Sequence, residues 1–189
     1  VANLYIISGC NGAGKTTASF TMLPELLNVK EFVNADEIAR GISPFQPEKV
    51  AIAAGRIMLQ RLKHLLFLNE DFAFETTLST KSFVGFIKQA KDQGYQVYLI
   101  YYWLDSVELA VERVKNRVVE GGHNIPTDTI KRRYYAGLNN FIHLYKQKVD
   151  YWMLIDNSQT SPILIAEGRS NEADQIKDLK KWALVQKYF

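Results

Sequence analysis

Residues 9–16 read Gly-Cys-Asn-Gly-Ala-Gly-Lys-Thr, a complete G-x-x-x-x-G-K-[ST] between an apolar run at 4–8 and a helix-like stretch at 15–27. Glycines at these spacings let successive backbone N–H groups turn toward a phosphate, and the helix that follows adds the positive end of its dipole. Lys15 is expected to reach the β and γ phosphates, and the hydroxyl of Thr16 to serve Mg²⁺. The expected ATP-binding set is Gly9, Cys10, Asn11, Gly12, Ala13, Gly14, Lys15, Thr16 and Thr17. Cys10 reads as an unconstrained loop position with no redox role.

Three further groups are placed to act on a phosphate held there. Asp36, in Asn-Ala-Asp-Glu after the second apolar run, is suited to accept a proton from an acceptor hydroxyl or to bind Mg²⁺ through water. Equally, it is suited to cap a short helix over 38–40. Glu75, followed by Thr76 and Thr77, leaves a third apolar run with one carboxylate and two hydroxyls. Recognition of substrate hydroxyls fits them better than a metal site, because no second acid stands beside Glu75. Arg113 and Arg117, one helical turn apart, and the adjacent Arg132 and Arg133 offer guanidinium donors for charge that develops on a transferring phosphoryl group. Solvated helix surface or pairing with carboxylates is the ordinary alternative for them.

The elements that must position these groups follow from apolar periodicity. Short apolar or β-branched runs at 4–8, 31–34, 72–75, 96–104 and 151–156 alternate with segments of helical period. This predicts a three-layer α/β P-loop fold, a mostly parallel five-stranded sheet with helices on both faces and its ligand site beyond the C-terminal strand ends. A long amphipathic helix is expected over 47–69, with Val50, Ala54, Ile57, Met58, Leu62, Leu65 and Leu66 as its apolar stripe. Asp105 and Glu108 resemble a capping box for another helix with Val107, Val111, Val114 and Val118 inward. Glu-Gly-Gly-His-Asn-Ile-Pro at 120–126 interrupts the period before a helical run over 127–145, and predicts a hinged lid at about 120–133 with His123 on its surface. Tyr134, Tyr135, Phe141 and Tyr145 read as packing of the last long helix, with stacking on a base as the other use of an aromatic there.

Composition bounds the remainder. The 189 residues, 47% hydrophobic and 23% charged, suit a single P-loop domain spanning 1–189, and disorder is excluded. A formal charge of +3 is far from the cationic stripe of a nucleic-acid binder, whereas small anions remain suitable partners. One cysteine and three scattered histidines give neither a disulfide nor zinc spacing. With no apolar run near the roughly 20 residues of a membrane span, a soluble protein of the reducing cytoplasm is expected.

The P-loop together with Asn-Ala-Asp-Glu-Ile-Ala at 34, Ala-Gly-Arg-Ile-Met at 54, Phe-Ala-Phe-Glu-Thr-Thr-Leu-Ser at 72, the 112–126 segment and Asp-Asn-Ser at 156 resembles the zeta-toxin-like branch of P-loop kinases, over about residues 4–166. The resemblance implies an ATP- and Mg²⁺-dependent kinase acting on UDP-N-acetylglucosamine or a related UDP-sugar and restrained by a small antitoxin. It implies Lys15 as the phosphate-binding lysine, Asp36 as general base, and Glu75 and Thr77 as substrate contacts. Arg113 would lie on the nucleotide, Arg117 and Arg133 at the reacting phosphate and Arg132 on the substrate, although either of the last pair fits the lid position. The chain departs from larger zeta toxins in its compactness, its Glu-Thr-Thr strand end and its Gly-Gly-His-Asn-Ile-Pro lid. A kinase for another nucleotide, nucleoside or polyol, and a non-kinase ATP-operated binding module, are the alternatives.

Overall fold

In the computed structural model, which describes residues 1–122 and 124–188, one sheet carries the whole chain in the order β2-β3-β1-β4-β5-β6-β7. The expectation for His123 lies outside the described residues. Strands β1 (Asn3–Gly9), β2 (Glu31–Val33), β3 (Phe72–Thr76), β4 (Gln96–Trp103) and β5 (Tyr151–Asp156) are parallel and lie within about one residue of the apolar runs that predict them. The five-stranded sheet is nonetheless an underestimate. β6 (Ile163–Arg169) and β7 (Gln175–Ile176) extend it antiparallel beyond β5. The connection over 157–162 is too short for a parallel crossover, so β6 must turn back on β5.

Alternation along the central strands divides the core between the two faces. Leu4, Ile6, Phe72, Phe74, Leu99 and Tyr101 pack on one face with Met58, Leu62, Leu65 and Phe86. These come from α3 (Ala51–Leu68), which a 3-10 turn over Pro47–Val50 precedes and on which Ile57 is exposed instead of joining the buried stripe, and from α4 (Val84–Asp92). Ile7, Ala73, Ile100 and Tyr102 pack on the other with residues of α1 (Lys15–Thr21), α5 (Val107–Val119) and α6 (Thr127–Asn140). Burial on both sides is why these strands read as continuous apolar runs.

Local signals differ from the sequence reading in three places. Helix α2 (Ala35–Ile42) is capped by Asn34, whose side chain accepts from the Asp36 amide at 2.8 Å, so Asp36 is not the cap. Helix α5 is capped by Ser106 rather than Asp105. Ser106 Oγ accepts from Leu109 N at 3.4 Å, and two good capping residues stand side by side there. The segment 15–27 is α-helical only to Thr21 and continues as a π turn through Leu26, where Pro24 lacks an N–H.

The expected lid has a built framework. The amides of Gly121 and Gly122 return to the carbonyls of Val118 and Arg117, a Schellman closure of α5. Ile125, Ile130 and Tyr134 are buried in the second core cluster. Helix α6 runs on through one π turn, Phe141–Tyr145, as the 127–145 period requires. At Gly137 it meets the exit of β3 backbone to backbone: a Cβ there would lie 2.3 Å from the Thr77 carbonyl oxygen. Among the described residues no helix is long and apolar enough to cross a membrane.

Candidate active site

The chemistry-bearing residues meet at the C-terminal ends of β1, β2 and β3, where a parallel α/β sheet opens to ligands. β1 delivers the chain into the glycine-rich turn, and α1 starts on Lys15. Lys15 is almost buried, at 6% exposure. Its Nζ donates to the Cys10 carbonyl at 2.9 Å and stands 3.4 Å from Glu75 Oε1. The other carboxylate oxygen of Glu75 accepts from Thr16 Oγ1 at 2.7 Å and from Asn34 Nδ2 at 3.0 Å. Glu75 is therefore bound to the phosphate loop itself, where the parallel register of β1 and β3, Ile7 opposite Glu75, brings it.

A cavity of about 180 Å³ lies over this loop, lined by Asn11, Gly12, Gly14, Lys15, Thr16, Thr17, Asp36, Glu75, Arg113 and Arg117. Backbone donors at a helix N-terminus, a lysine and two arginines make it an anion receptor of phosphate character. Thr16 and Glu75 also place hard oxygen ligands side by side, the donor type Mg²⁺ takes. That ion fills its other positions with water and phosphate oxygens and so needs no dense acidic cluster. No group of three or more His, Cys, Asp or Glu able to hold a metal occurs among the described residues.

A second cavity of about 410 Å³ adjoins the first and shares Asn11, Lys15, Asp36 and Glu75 with it. Asp36 stands in the first turn of α2 at this junction. Its amide is engaged by Asn34, while its carboxylate accepts no hydrogen bond among the described residues. One wall of the larger cavity is a stripe of α3, Ile52, Gly55, Arg56 and Leu59 at i, i+3, i+4 and i+7, beside the buried stripe through Met58 and Leu62, of which Met58 also reaches the cavity. Phe83 and Ser82 close another side, and Thr77 lines the cavity with its hydroxyl hydrogen-bonded to Ser79 at 2.9 Å.

The four arginines separate. Arg133 lines the larger cavity and donates from Nη1 to Asn11 Oδ1 at 3.2 Å. Burial holds its guanidinium below the usual arginine range, Asp36 opposing the shift and Arg132 adding to it. Arg132 is exposed and lines neither cavity, because neighbouring residues on a helix point about 100° apart. Arg117 lines the phosphate cavity. Arg113 also lines it, yet its guanidinium is used as a fork: Nη1 donates to the Asn157 carbonyl and Nη2 to that of Ser158, both at 2.9 Å. Cys10 is not the unconstrained position that the sequence suggests. Its side chain is buried beneath the loop, and burial pushes the thiol up to about 11 against the opposing charges of Lys15 and Arg113.

Asn34, Arg56, Ser82, Phe83 and Asn157 had no role in the sequence reading. Asn34 carries a cap signal, a good capping residue ahead of Ala-Asp-Glu. Arg56 and Asn157 sit inside Ala-Gly-Arg-Ile-Met and Asp-Asn-Ser, but nothing local ties either to the P-loop; only the folded chain does.

Comparison with known proteins shows the family and the fold. The family model described as Zeta toxin matches residues 2–164. A protein of Haemophilus influenzae, described only as uncharacterized, is 36% identical over 127 residues, which cover 67% of this chain and 88% of that one. Among solved structures, the fold resembles AvrRxo1-ORF1:AvrRxo1-ORF2 with a TM-score of 0.79 at 15% identity, covering 97% of this chain and 63% of that chain. It resembles the PezAT chromosomal toxin-antitoxin system of Streptococcus pneumoniae with a TM-score of 0.67 at 16% identity, covering 100% of this chain and 78% of that chain. The chain thus spans under two thirds of the AvrRxo1 chain it matches.

Proposed function

The chain belongs to the zeta toxin family of P-loop kinases, and from that premise we propose that it transfers the γ-phosphoryl group of ATP to a hydroxyl of a small anionic metabolite, a UDP-activated amino sugar such as UDP-N-acetylglucosamine foremost. The observation that carries this reading is the position of Asp36, a carboxylate without a hydrogen-bond donor among the described residues, at the junction of a phosphate-type cavity and a larger second one. A binding module operated by nucleotide has no need of such a junction.

In this scheme the loop amides and Lys15 hold the β and γ phosphates. Asp36 accepts the proton of the acceptor hydroxyl as its oxygen bonds to the γ-phosphorus and the bond to the β,γ-bridging oxygen breaks, leaving ADP. Arg117 and Arg133 balance charge on the transferring group. Thr16 and, through water, Glu75 or Asp36 would hold Mg²⁺, which would supply neutralisation of phosphate charge. Arg56 and Arg133 suit the anionic part of the acceptor, Thr77 and Ser82 its hydroxyls, and Leu59 and Phe83 its apolar part. First-half movement of α6 would close the lid over the reactants and exclude water. A small antitoxin as partner and a cytoplasmic setting belong to the same proposal.

The test is incubation with ATP, Mg²⁺ and either UDP-N-acetylglucosamine or a bacterial metabolite extract, followed by mass spectrometry. A product heavier by one phosphoryl group with the wild-type chain, and none with Lys15→Ala, is expected. Phosphorylation of a nucleoside or polyol instead would overturn the sugar-nucleotide assignment, and consumption of ATP with no phosphorylated metabolite would overturn the kinase.

A further inference from the structure

The segment that follows β5 is fixed from several sides. Asn157 N donates to the Trp103 carbonyl at 2.9 Å, tying the segment to the end of β4. Arg113 of α5 grips the next two carbonyls with its fork. Asp156, 1% exposed, accepts from Ser158 N at 2.9 Å and from Ser158 Oγ, and pairs with Lys181 of helix α7 (Leu179–Gln186). Ser158 Oγ in turn accepts from Asp105 N at 2.8 Å.

One polar group on this braced segment points elsewhere. Asn157 Nδ2 donates to the Ala13 carbonyl of the phosphate loop at 2.8 Å. The carbonyl can only accept, which fixes the orientation of the amide. Behind the loop the same nitrogen occupies the space a side chain at Gly14 would need: a Cβ there would lie 2.5 Å from it, and Gly14 has φ +80°. In a planar trans peptide the C=O and the following N–H point in opposite directions. Holding the Ala13 carbonyl outward therefore turns the Gly14 N–H to the opposite side, and Gly14 lines the phosphate cavity.

We propose that Asn157 is a positioning residue for nucleotide binding: by holding the Ala13 carbonyl it presets a phosphate-loop amide, and Arg113 acts on the nucleotide partly through it. This rests on the reading of the loop as a nucleotide site. Arg113, which the sequence assigns to direct ATP contact, thereby gains a second route of action.

The experiment is calorimetric titration of the full chain with Mg²⁺-ATP, with thermal unfolding of each variant alongside. Asn157→Ala is expected to weaken ATP binding about 10-fold while the unfolding midpoint stays within about 2 °C. Asn157→Asp keeps the shape but sets a carboxylate against the Ala13 carbonyl and the phosphates, and is expected to cost about 100-fold. Arg113→Lys keeps the charge but loses the fork. Alone it should weaken binding about 10-fold, and in the Asn157→Ala background by less than about 2-fold. Wild-type affinity in Asn157→Ala, equal losses in the Ala and Asp variants, or full additivity with Arg113→Lys would each overturn the proposal. Failure of the folded wild-type chain to bind ATP would overturn the nucleotide reading, and this proposal with it.

Discussion

The two cavities that meet at Asp36 differ in their walls. On the phosphate side Lys15, Thr16 and Glu75 form one network with Asn34, and Asn157 and Arg113 brace the loop from behind. On the larger side Arg56 has no ion pair among the described residues, and Ile52 stands 76% exposed on the wall. A receptor for a constant group, the polyphosphate, gains from being preorganised, since donors fixed in advance need no reordering on binding. A receptor whose apolar and cationic groups wait uncovered gains its order from the ligand. In the proposed function the phosphates would be held by the braced half, and the choice of acceptor would fall to the larger half, with Asp36 and Arg133 at their border.

That division can be broken in order of expected effect. Asp36→Asn should lower turnover on the true acceptor by roughly 10³-fold and leave ATP affinity within about 2-fold, as steady-state rates and calorimetry will measure. An equal loss of ATP affinity would assign Asp36 to the phosphate side. Arg133→Ala should reduce turnover by roughly 10²-fold while Arg132→Ala stays within about 2-fold; the reverse order in parallel assays would put the exposed arginine in the site. Asp156→Asn should destabilise the chain by about 2 kcal/mol in chemical denaturation at neutral pH.

The pH dependence of that last pair has a definite sign. Burial raises the Asp156 carboxyl, but hydrogen bonds from Lys181 and Ser158 outweigh it and hold the group below the ordinary 3.8. A depressed folded value gives stability that is present above 3.8 and is lost as pH falls through the folded value. Denaturation curves of wild type and Asp156→Asn should therefore converge in acid. The smallest effect is expected on the open side: Leu59→Ala should raise KM for the acceptor about 5-fold, with ATP affinity unchanged and stability within about 0.5 kcal/mol.

The same division governs what the sequence revealed. The phosphate loop is contiguous, so its spacing alone announces it, and the five parallel strands stand out because both their faces are buried. β6 was invisible because Ile-Leu-Ile-Ala ends in Glu-Gly-Arg, an edge-like run without alternation. Asp36 stayed ambiguous until the structure gave the cap to Asn34, the residue two positions earlier. Arg132 and Arg133 differ only by helical phase, which neither composition nor spacing resolves at the first turns of α6. Arg56 and Asn157 reach the site from far along the chain, through tertiary contacts that no local pattern encodes.

Gly137 has a mechanical consequence. Because α6 rests there on the bare Thr77 carbonyl, that point is a fulcrum, and Arg133, one turn away, sits on the short arm of a lever. In the proposed closure, a swing of the helix start would be geared down before it reached the cavity, so that an excursion near Pro126 would deliver a finer adjustment of one guanidinium. It also makes residue 137 and the strand exit a matched bearing: Gly137→Ala would jam it, and no side chain at Thr77 could relieve the jam, since the opposing surface is main chain.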